Sequence, residues 1–398
     1  MKTPSALRRF LTNVYGFAFF DKLTFLAPVY AIFMQSHGVS DMRLSFLFIL
    51  FSIGTIVSQP PVVALTARLG ARRTLVLGQL FKIFAFALWV LWPTWVGFMV
   101  GMFVWGMQSG FYAVTFEGML YDEMAARHHR DMYTRVLGRR YAFETSAAAV
   151  SALGSLMMIW GYGWVTVASL LSVLMSILWV GRMRLTARRC GAKRVAGDPV
   201  RLSRLLGRGL DIAWKNPCIL TAMMVALVVL NFAYLEDYLG PIGLQIGLPV
   251  AYVGVMQFVV LGASLVGQTI AGYGKGLRDR ILFLLIGIGG ACFIGFGLTY
   301  SVSALGLLGL AYVIFKGANV LLYARFQMAV PARYRSVMLS VYTTLNHAMY
   351  IGICVLIGWG GEMGSWRYSI CILGALLTML GLGALVAPRR CGVKLPSA

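Results

Sequence analysis

The sequence predicts an all-α membrane protein: twelve transmembrane helices arranged as two pseudo-symmetric six-helix bundles. Three observations predict it. Of 398 residues, 59% are hydrophobic and only 12% charged, with a mean hydropathy of +0.79, too little polar surface to coat a soluble globule. Apolar runs of about 20 residues, the length that crosses a bilayer as a helix, recur from one end of the chain to the other. Basic residues gather between alternate runs instead of spreading evenly.

The first apolar run follows "MKTPSALRR", is about 25 residues long and has no small-residue cleavage site, so an uncleaved spanning helix is expected and no signal peptide. The spans fall near 10–34, 42–66, 74–93, 95–121, 140–160, 163–183, 217–239, 249–272, 280–300, 303–327, 336–359 and 364–387. With the N-terminus in the cytoplasm, the inner segments take all of the 35 Lys and Arg but five. Those five are Arg43 and Arg367 in outer loops, and Lys22, Lys82 and Lys316 within spans. The positive-inside rule therefore places both termini in the cytoplasm.

Residues 184–216 form the one long polar interval, which divides the chain into an N-terminal bundle (1–183), a cytoplasmic linker (184–216) and a C-terminal bundle (217–398). In the linker, "VRLSRLLGRGLDIAW" sets Val200, Leu202, Leu205, Leu206, Leu210 and Ile212 among Arg201, Arg204 and Arg208, a surface helix lying along the inner leaflet. The halves echo each other: "FLAPV" at 25–29 and "YLGPI" at 238–242, then "RLGARR" at 68–73 and "YGKGLRDR" at 273–280. The acids of the first and seventh spans do not register against the two prolines. Such a repeat suggests two bundles around a central path.

The net charge of +22 does not point to nucleic acid, because the bases flank helices and form no interleaved basic and aromatic surface. The six cysteines imply no disulfide framework, and no Cys–x–x–Cys or His–x–x–x–His spacing marks a metal. No G-x-x-x-x-G-K-[ST] loop is present to bind a nucleotide, and no cofactor is expected. The aromatics of "ALWVLWPTW" at 87–95 read as an interfacial belt.

Two segments carry a resemblance. "VALTARLGARR" at 63–73 is similar to the G-x-L-A-D-R-x-G-R-R loop of the major facilitator superfamily, with Arg68, Gly70, Arg72 and Arg73 in place and Ala67 where the acid belongs. "SGFYAVTFEGMLYDEMAARHHRDMYTRVLGRR" at 109–140 is similar to the S-G-x…E-A-x-x-Y-D…R-V-x-G-R pattern of bacterial drug-efflux-like members. The resemblance covers the whole chain. The antiporter run G-x-x-x-G-P-x-x-G-G is missing from the fifth span, which keeps a small face of Ala147, Ala148, Ala149, Ser151, Ala152, Gly154 and Ser155. The resemblance implies that spans one, four, seven and ten line the path and that three, six, nine and twelve face lipid. It also implies a monomer.

The ionisable residues fit that division. Spans six, nine and twelve carry no charged residue away from their ends, and Lys82 on span three is expected to reach toward the cytoplasmic interface. The path spans hold Asp21 and Lys22, Gln108 and Glu117, Asn231, Glu236 and Asp237, and Lys316 and Asn319. Asp21, near mid-membrane, is either a proton carrier or a structurally paired acid. Lys22, about 100° away on the helix, is expected to be a poor partner for it. Lys316 either binds an anionic substrate group or neutralises Asp21. Asn346 and His347 lie midway along the eleventh span, where His347 is a titratable switch or a neutral hydrogen-bonding group. Glu117 and Asp122 form either a cytoplasmic gate with Arg68, Arg72, Arg73, Arg139 and Arg140 or static pairs at the helix ends, Glu117 being also a proton-coupling candidate beside Asp21 and His347, and Arg140 and Glu144 are spaced for a helix salt bridge. Glu236 and Asp237 are solvated loop acids, or else a mouth attracting cations or protons.

The reading with most support is a secondary transporter that exports a small organic or amphiphilic compound by alternating access, coupled to protons or another ion. An importer or exporter of an anionic metabolite or siderophore-like ligand follows instead if Lys22 and Lys316 bind substrate. An intramembrane enzyme lacks a nucleophile or metal cluster, and a non-transporting sensor would be indifferent to Asp21→Asn.

Overall fold

The structure is a computed structural model that describes residues 5–129, 132–186, 207, 211, 213–232, 235–271, 277–330 and 335–386. Every regular element among them is helical. In chain order these are α1 (Ser5–Lys22), α2 (Tyr30–Ser36), α3 (Asp41–Leu69), α4 (Ala71–Leu91), α5 (Trp95–Ala126), α6 (Tyr133–Ser151) and α7 (Tyr162–Arg182). The second half has α8 (Pro217–Phe232), α9 (Leu239–Gln245), α10 (Val253–Ala271), α11 (Asp279–Thr299), α12 (Leu305–Ala329), α13 (Arg335–Glu362) and α14 (Arg367–Val386). A 3₁₀ segment, Ala152–Trp160, continues α6. Most of the linker, including the expected surface helix, lies outside the described residues, as do 272–276 of the second Gly-rich turn and the side chain of Arg135.

Nine helices among the described residues are long and apolar enough to cross a bilayer, and they correspond to the expected spans two, three and five to eleven. The fourth expected span is α5, where Trp, Gly, Gln108 and Ser109 dilute the hydropathy of a 32-residue helix. The twelfth is represented by the shorter apolar stretch Arg367–Gly383. On α7, α11 and α14 the exposed large side chains recur every three or four residues: Leu171, Leu174 and Leu178, then Ile281, Leu284 and Ile288, then Leu376, Met379 and Leu382. These stripes are surfaces that lipid, not water, would solvate.

The first expected span is not one helix. It stops at Lys22 and resumes at Tyr30, leaving Leu23–Val29 as an irregular turn. Pro28 accounts for the break, since it has no N–H to offer and disfavours helical geometry in the residue before it. Backbone polar groups freed inside a membrane need partners, and here Leu26 N–H donates to Ser169 Oγ on α7 at 2.9 Å. The seventh expected span breaks likewise. Its first part, α8, ends at Phe232, a 3₁₀ turn spans Glu236–Tyr238, and α9 carries Pro241. Leu235 N–H donates to the Tyr312 hydroxyl at 3.1 Å.

The chain forms two compact units. Unit 1 comprises 1–39, 47–199 and 250–254; unit 2 comprises 40–46, 200–249 and 255–398. Within unit 1, α1 packs on α6 and α7, and α4 packs on α5 and α7. In unit 2, α8 packs chiefly on α12 and also on α13 and α14, and α11 packs on α14 and α12. Leu7, Phe10, Val14 and Phe17 of α1 pack with Phe116 and Leu120 of α5 in the core of unit 1. Gly154 allows the 3₁₀ end of the fifth span to sit directly on the α1 break, because a Cβ there would overlap the Phe25 carbonyl. The α3–α4 turn needs Gly70 for another reason, a φ of +84° that strains any side chain.

Candidate functional site

The break in the first span fixes the site of unit 1. Where α1 stops, its last carbonyls lack helical partners and its C-terminal end carries partial negative charge. Asp21 is placed at that end and is almost completely buried. Lys82 on α4 comes to it: Nζ donates to the Asp21 carbonyl at 2.5 Å and lies 3.7 Å from Oδ1. Gln79, one turn earlier on α4, donates to Oδ1 at 2.8 Å, and Gln108 on α5 donates to the same oxygen at 3.2 Å. Gln79 Oε1 is left buried without a donor.

Lys22 continues the cluster. Its Nζ is 3.8 Å from Asp21 Oδ2, in ion-pair range but beyond a hydrogen bond, and stands 4.9 Å from the centre of the Tyr112 ring. The side chain is 46% exposed, and an ammonium at this depth requires water beside it, not lipid. The Tyr112 hydroxyl donates to Glu144 Oε1. Arg140, one turn before Glu144 on α6, is buried, with Nη2 3.1 Å from Glu117 Oε1 and Nε 3.4 Å from Glu144 Oε1. Its guanidinium also stacks on the Phe116 and Tyr141 rings. Two sets of ion pairs, Lys82–Asp21–Lys22 and Glu144–Arg140–Glu117, thus lie on either side of Tyr112, and the six charges sum to zero.

In unit 2 the corresponding break holds a smaller set. Lys316 on α12 pairs with Glu236 at 2.6 Å, and Tyr350 donates to Asp237 Oδ2 at 2.6 Å. Asn231 Nδ2 donates to Asn346 Oδ1 at 2.9 Å, and Asn319 Nδ2 donates to the Ala226 carbonyl at 3.3 Å. His347, half-buried beside Asn346, has no hydrogen bond recorded among the described residues. No group of His, Cys, Asp and Glu fit to hold a metal occurs among the described residues.

Several expectations are corrected by this geometry. Lys82 does not reach for the interface, because its ammonium is held by the carbonyl and carboxylate at the end of α1. Lys22 is a partner of Asp21 after all: at a helix end its long side chain is free to curl back. Lys316 pairs with Glu236 within unit 2, a partner on the seventh expected span that was not foreseen for it. Glu236 and Asp237 are partnered and half-buried, not solvated loop acids. Of the expected gate, the structure brings together Glu117, Arg140 and Glu144, well inside α5 and α6. Arg68, Arg72, Arg73 and Arg139 are exposed and form no ion pair among the described residues. Asp122 is half-buried.

The sequence reading missed the acid beside Asp122. Glu123 is buried, pairs with Arg127 at 2.7 Å and accepts the Thr186 N–H at 2.7 Å, tying the end of α5 to the start of the linker. It also missed Gln79 and Tyr112. Gln79 and Lys82 lie three residues apart on an otherwise apolar helix, so they share a face, while the exposed Leu80 and Phe84 turn away from it. That spacing was the available signal.

No curated protein matches this sequence. Among solved structures, similar chains include the nucleoside transporter NupG (11% identity, TM-score 0.72, covering 95% of this chain and 100% of that one). The xylose transporter XylE from E. coli, in a partially occluded inward-open form, is 12% identical with TM-score 0.70, covering 98% and 100%. An auto-inhibited POT family peptide transporter is 14% identical with TM-score 0.69, covering 99% of each chain. At these identities the likeness is one of fold. The profile of the Major Facilitator Superfamily matches residues 13–353. The chain is therefore a multi-pass membrane protein of the Major Facilitator Superfamily, a transporter and not an enzyme.

Proposed function

We propose that the chain is a secondary active transporter of the bacterial cytoplasmic membrane that exports a small organic or amphiphilic compound in exchange for protons. Twelve spans in two six-helix bundles, 1–183 and 217–398, would work by alternating access, with the linker and both termini in the cytoplasm. The observation that carries the coupling is the six-charge cluster at the break of the first span. Buried charges in a membrane are costly, and a set that is neutral as a whole can gain or lose one proton and rearrange while every partner stays near at hand. The likeness of 109–140 to drug-efflux-like members supports export, and Glu117 of that pattern pairs with Arg140, the residue directly after its final arginine.

A second reading, transport of an organic anion, is favoured by the half-exposed Lys22 ammonium alone. Proteoliposomes holding the protein and an internal pH dye test both. Lipophilic cations, organic anions, sugars, nucleosides and peptides are added in turn, with Asp21→Asn as control. Proton movement evoked by lipophilic cations and lost in the variant is the expected result. Movement evoked only by organic anions would replace the first reading with the second. Proton flux indifferent to every probe and to Asp21→Asn would remove proton coupling.

A further inference from the structure

The three carboxylates of the unit 1 cluster are held in different ways. Asp21 is enclosed, its side chain 2% exposed, and its neighbours Lys82, Lys22, Gln79 and Gln108 all turn N–H groups toward it. Every polar contact on its carboxyl group is therefore a donor. Glu117 has half of its side chain in the open and one oxygen on Arg140. Glu144 lies between these extremes. Its side chain is 13% exposed, and Oε1 alone takes the Tyr112 hydroxyl and faces Arg140. No donor among the described residues is recorded on Oε2. Arg140 itself is under-satisfied, since its buried Nε and Nη1 make no hydrogen bond. A guanidinium shared between two carboxylates with donors to spare has two arrangements available to it.

We infer that Glu144 is the carboxyl that binds and releases the exchanging proton, and that Arg140 is the positioning residue that answers by shifting between Glu144 and Glu117. This rests on the proton-coupled reading above. The groups acting on Glu144 are Lys22 and Asp21 from α1, Tyr112 from α5 and Arg140 from its own helix, with Glu117 on the far side of Arg140. A proton from water forms an O–H bond at Oε2. Tyr112 keeps its own hydrogen and goes on donating to Oε1, while Arg140 stays cationic. The cluster then changes from neutral to one positive charge, Arg140 is left with Glu117 as its counter-ion, and loss of the proton to water reverses both changes.

Infrared spectroscopy of the purified protein in lipid bilayers, titrated with acid and base, tests this without a substrate. The expected result is a protonated carboxyl band that disappears in Glu144→Gln and returns at an altered frequency in Glu144→Asp. It should survive in the double variant Asp21→Asn with Lys82→Met, which removes an acid and a base together. Tyr112→Phe should shift the band to higher frequency by removing the hydrogen bond on Oε1. Arg140→Gln should move its titration to higher pH, because a departing cation no longer favours the carboxylate. Absence of a titrating band in the wild type overturns the inference, as does its persistence in Glu144→Gln or its loss in the Asp21 and Lys82 double variant. Failure of the proton-coupled reading would appear separately, as flux in the wild-type proteoliposomes that no probe alters.

Discussion

Lys82 shows how much one side chain can decide. Its ammonium answers both the end of α1 and the carboxylate of Asp21, so removing it leaves a buried acid whose nearest cation, Lys22, stands 3.8 Å from the other oxygen. Breaking a buried pair on one side costs about 3–5 kcal/mol, whereas removing both partners together is often close to neutral. Lys82→Met should therefore lower the unfolding midpoint in detergent sharply, and adding Asp21→Asn should restore most of it. A double variant no more stable than Lys82→Met alone would make the pair a minor element of the fold. At this scale the sequence was half legible. The intramembrane acids and bases could all be picked out by cost, but which acid meets which base depends on where a helix stops. The end of α1 brought Lys22 back onto Asp21, and no helical spacing rule foresees that.

The breaks in the first and seventh spans join local chemistry to architecture. Each follows from a proline in a repeated five-residue stretch, "FLAPV" and "YLGPI", and each leaves a buried N–H that a side chain from another helix must satisfy. The echo was visible in the sequence. Its consequence, an interrupted helix, was hidden by continuous hydropathy across 10–34 and 217–239, which registers apolarity and not backbone geometry. Ser169→Ala and Tyr312→Phe each strand one of these N–H groups, at a cost of about 1–3 kcal/mol. Ser169 and Tyr312 sit on different helices in their units, α7 and α12, yet they serve the same purpose. Thermal unfolding of the two variants should show comparable losses. An undisturbed Ser169→Ala would mean that the N–H of Leu26 finds water in the break.

For the whole molecule, orientation is the property the sequence states most strongly and helix packing does not reveal. All but five of the 35 Lys and Arg fall in segments that share one side if the helices alternate, and only Arg43 and Arg367 fall in loops on the other. Lys and Arg near span ends resist transfer across the membrane during insertion, so such an imbalance fixes one topology. Two native thiols report on it. Cys190 belongs to the linker and Cys391 to the segment after the last span, both assigned to the cytoplasm, while Cys292, Cys354 and Cys371 lie on α11, α13 and α14 and Cys218, at the start of α8, is replaced by serine for the test. A membrane-impermeant maleimide should label Cys190 and Cys391 in inside-out vesicles and spare them in intact cells or spheroplasts. Because both sites follow an even number of expected spans, six and twelve, they must respond together. Labelling of one from each side would mean that a span is missing or extra in the second half, and the twelve-helix reading would fail with it. Labelling of both from outside would invert the chain and turn the proposed export into uptake.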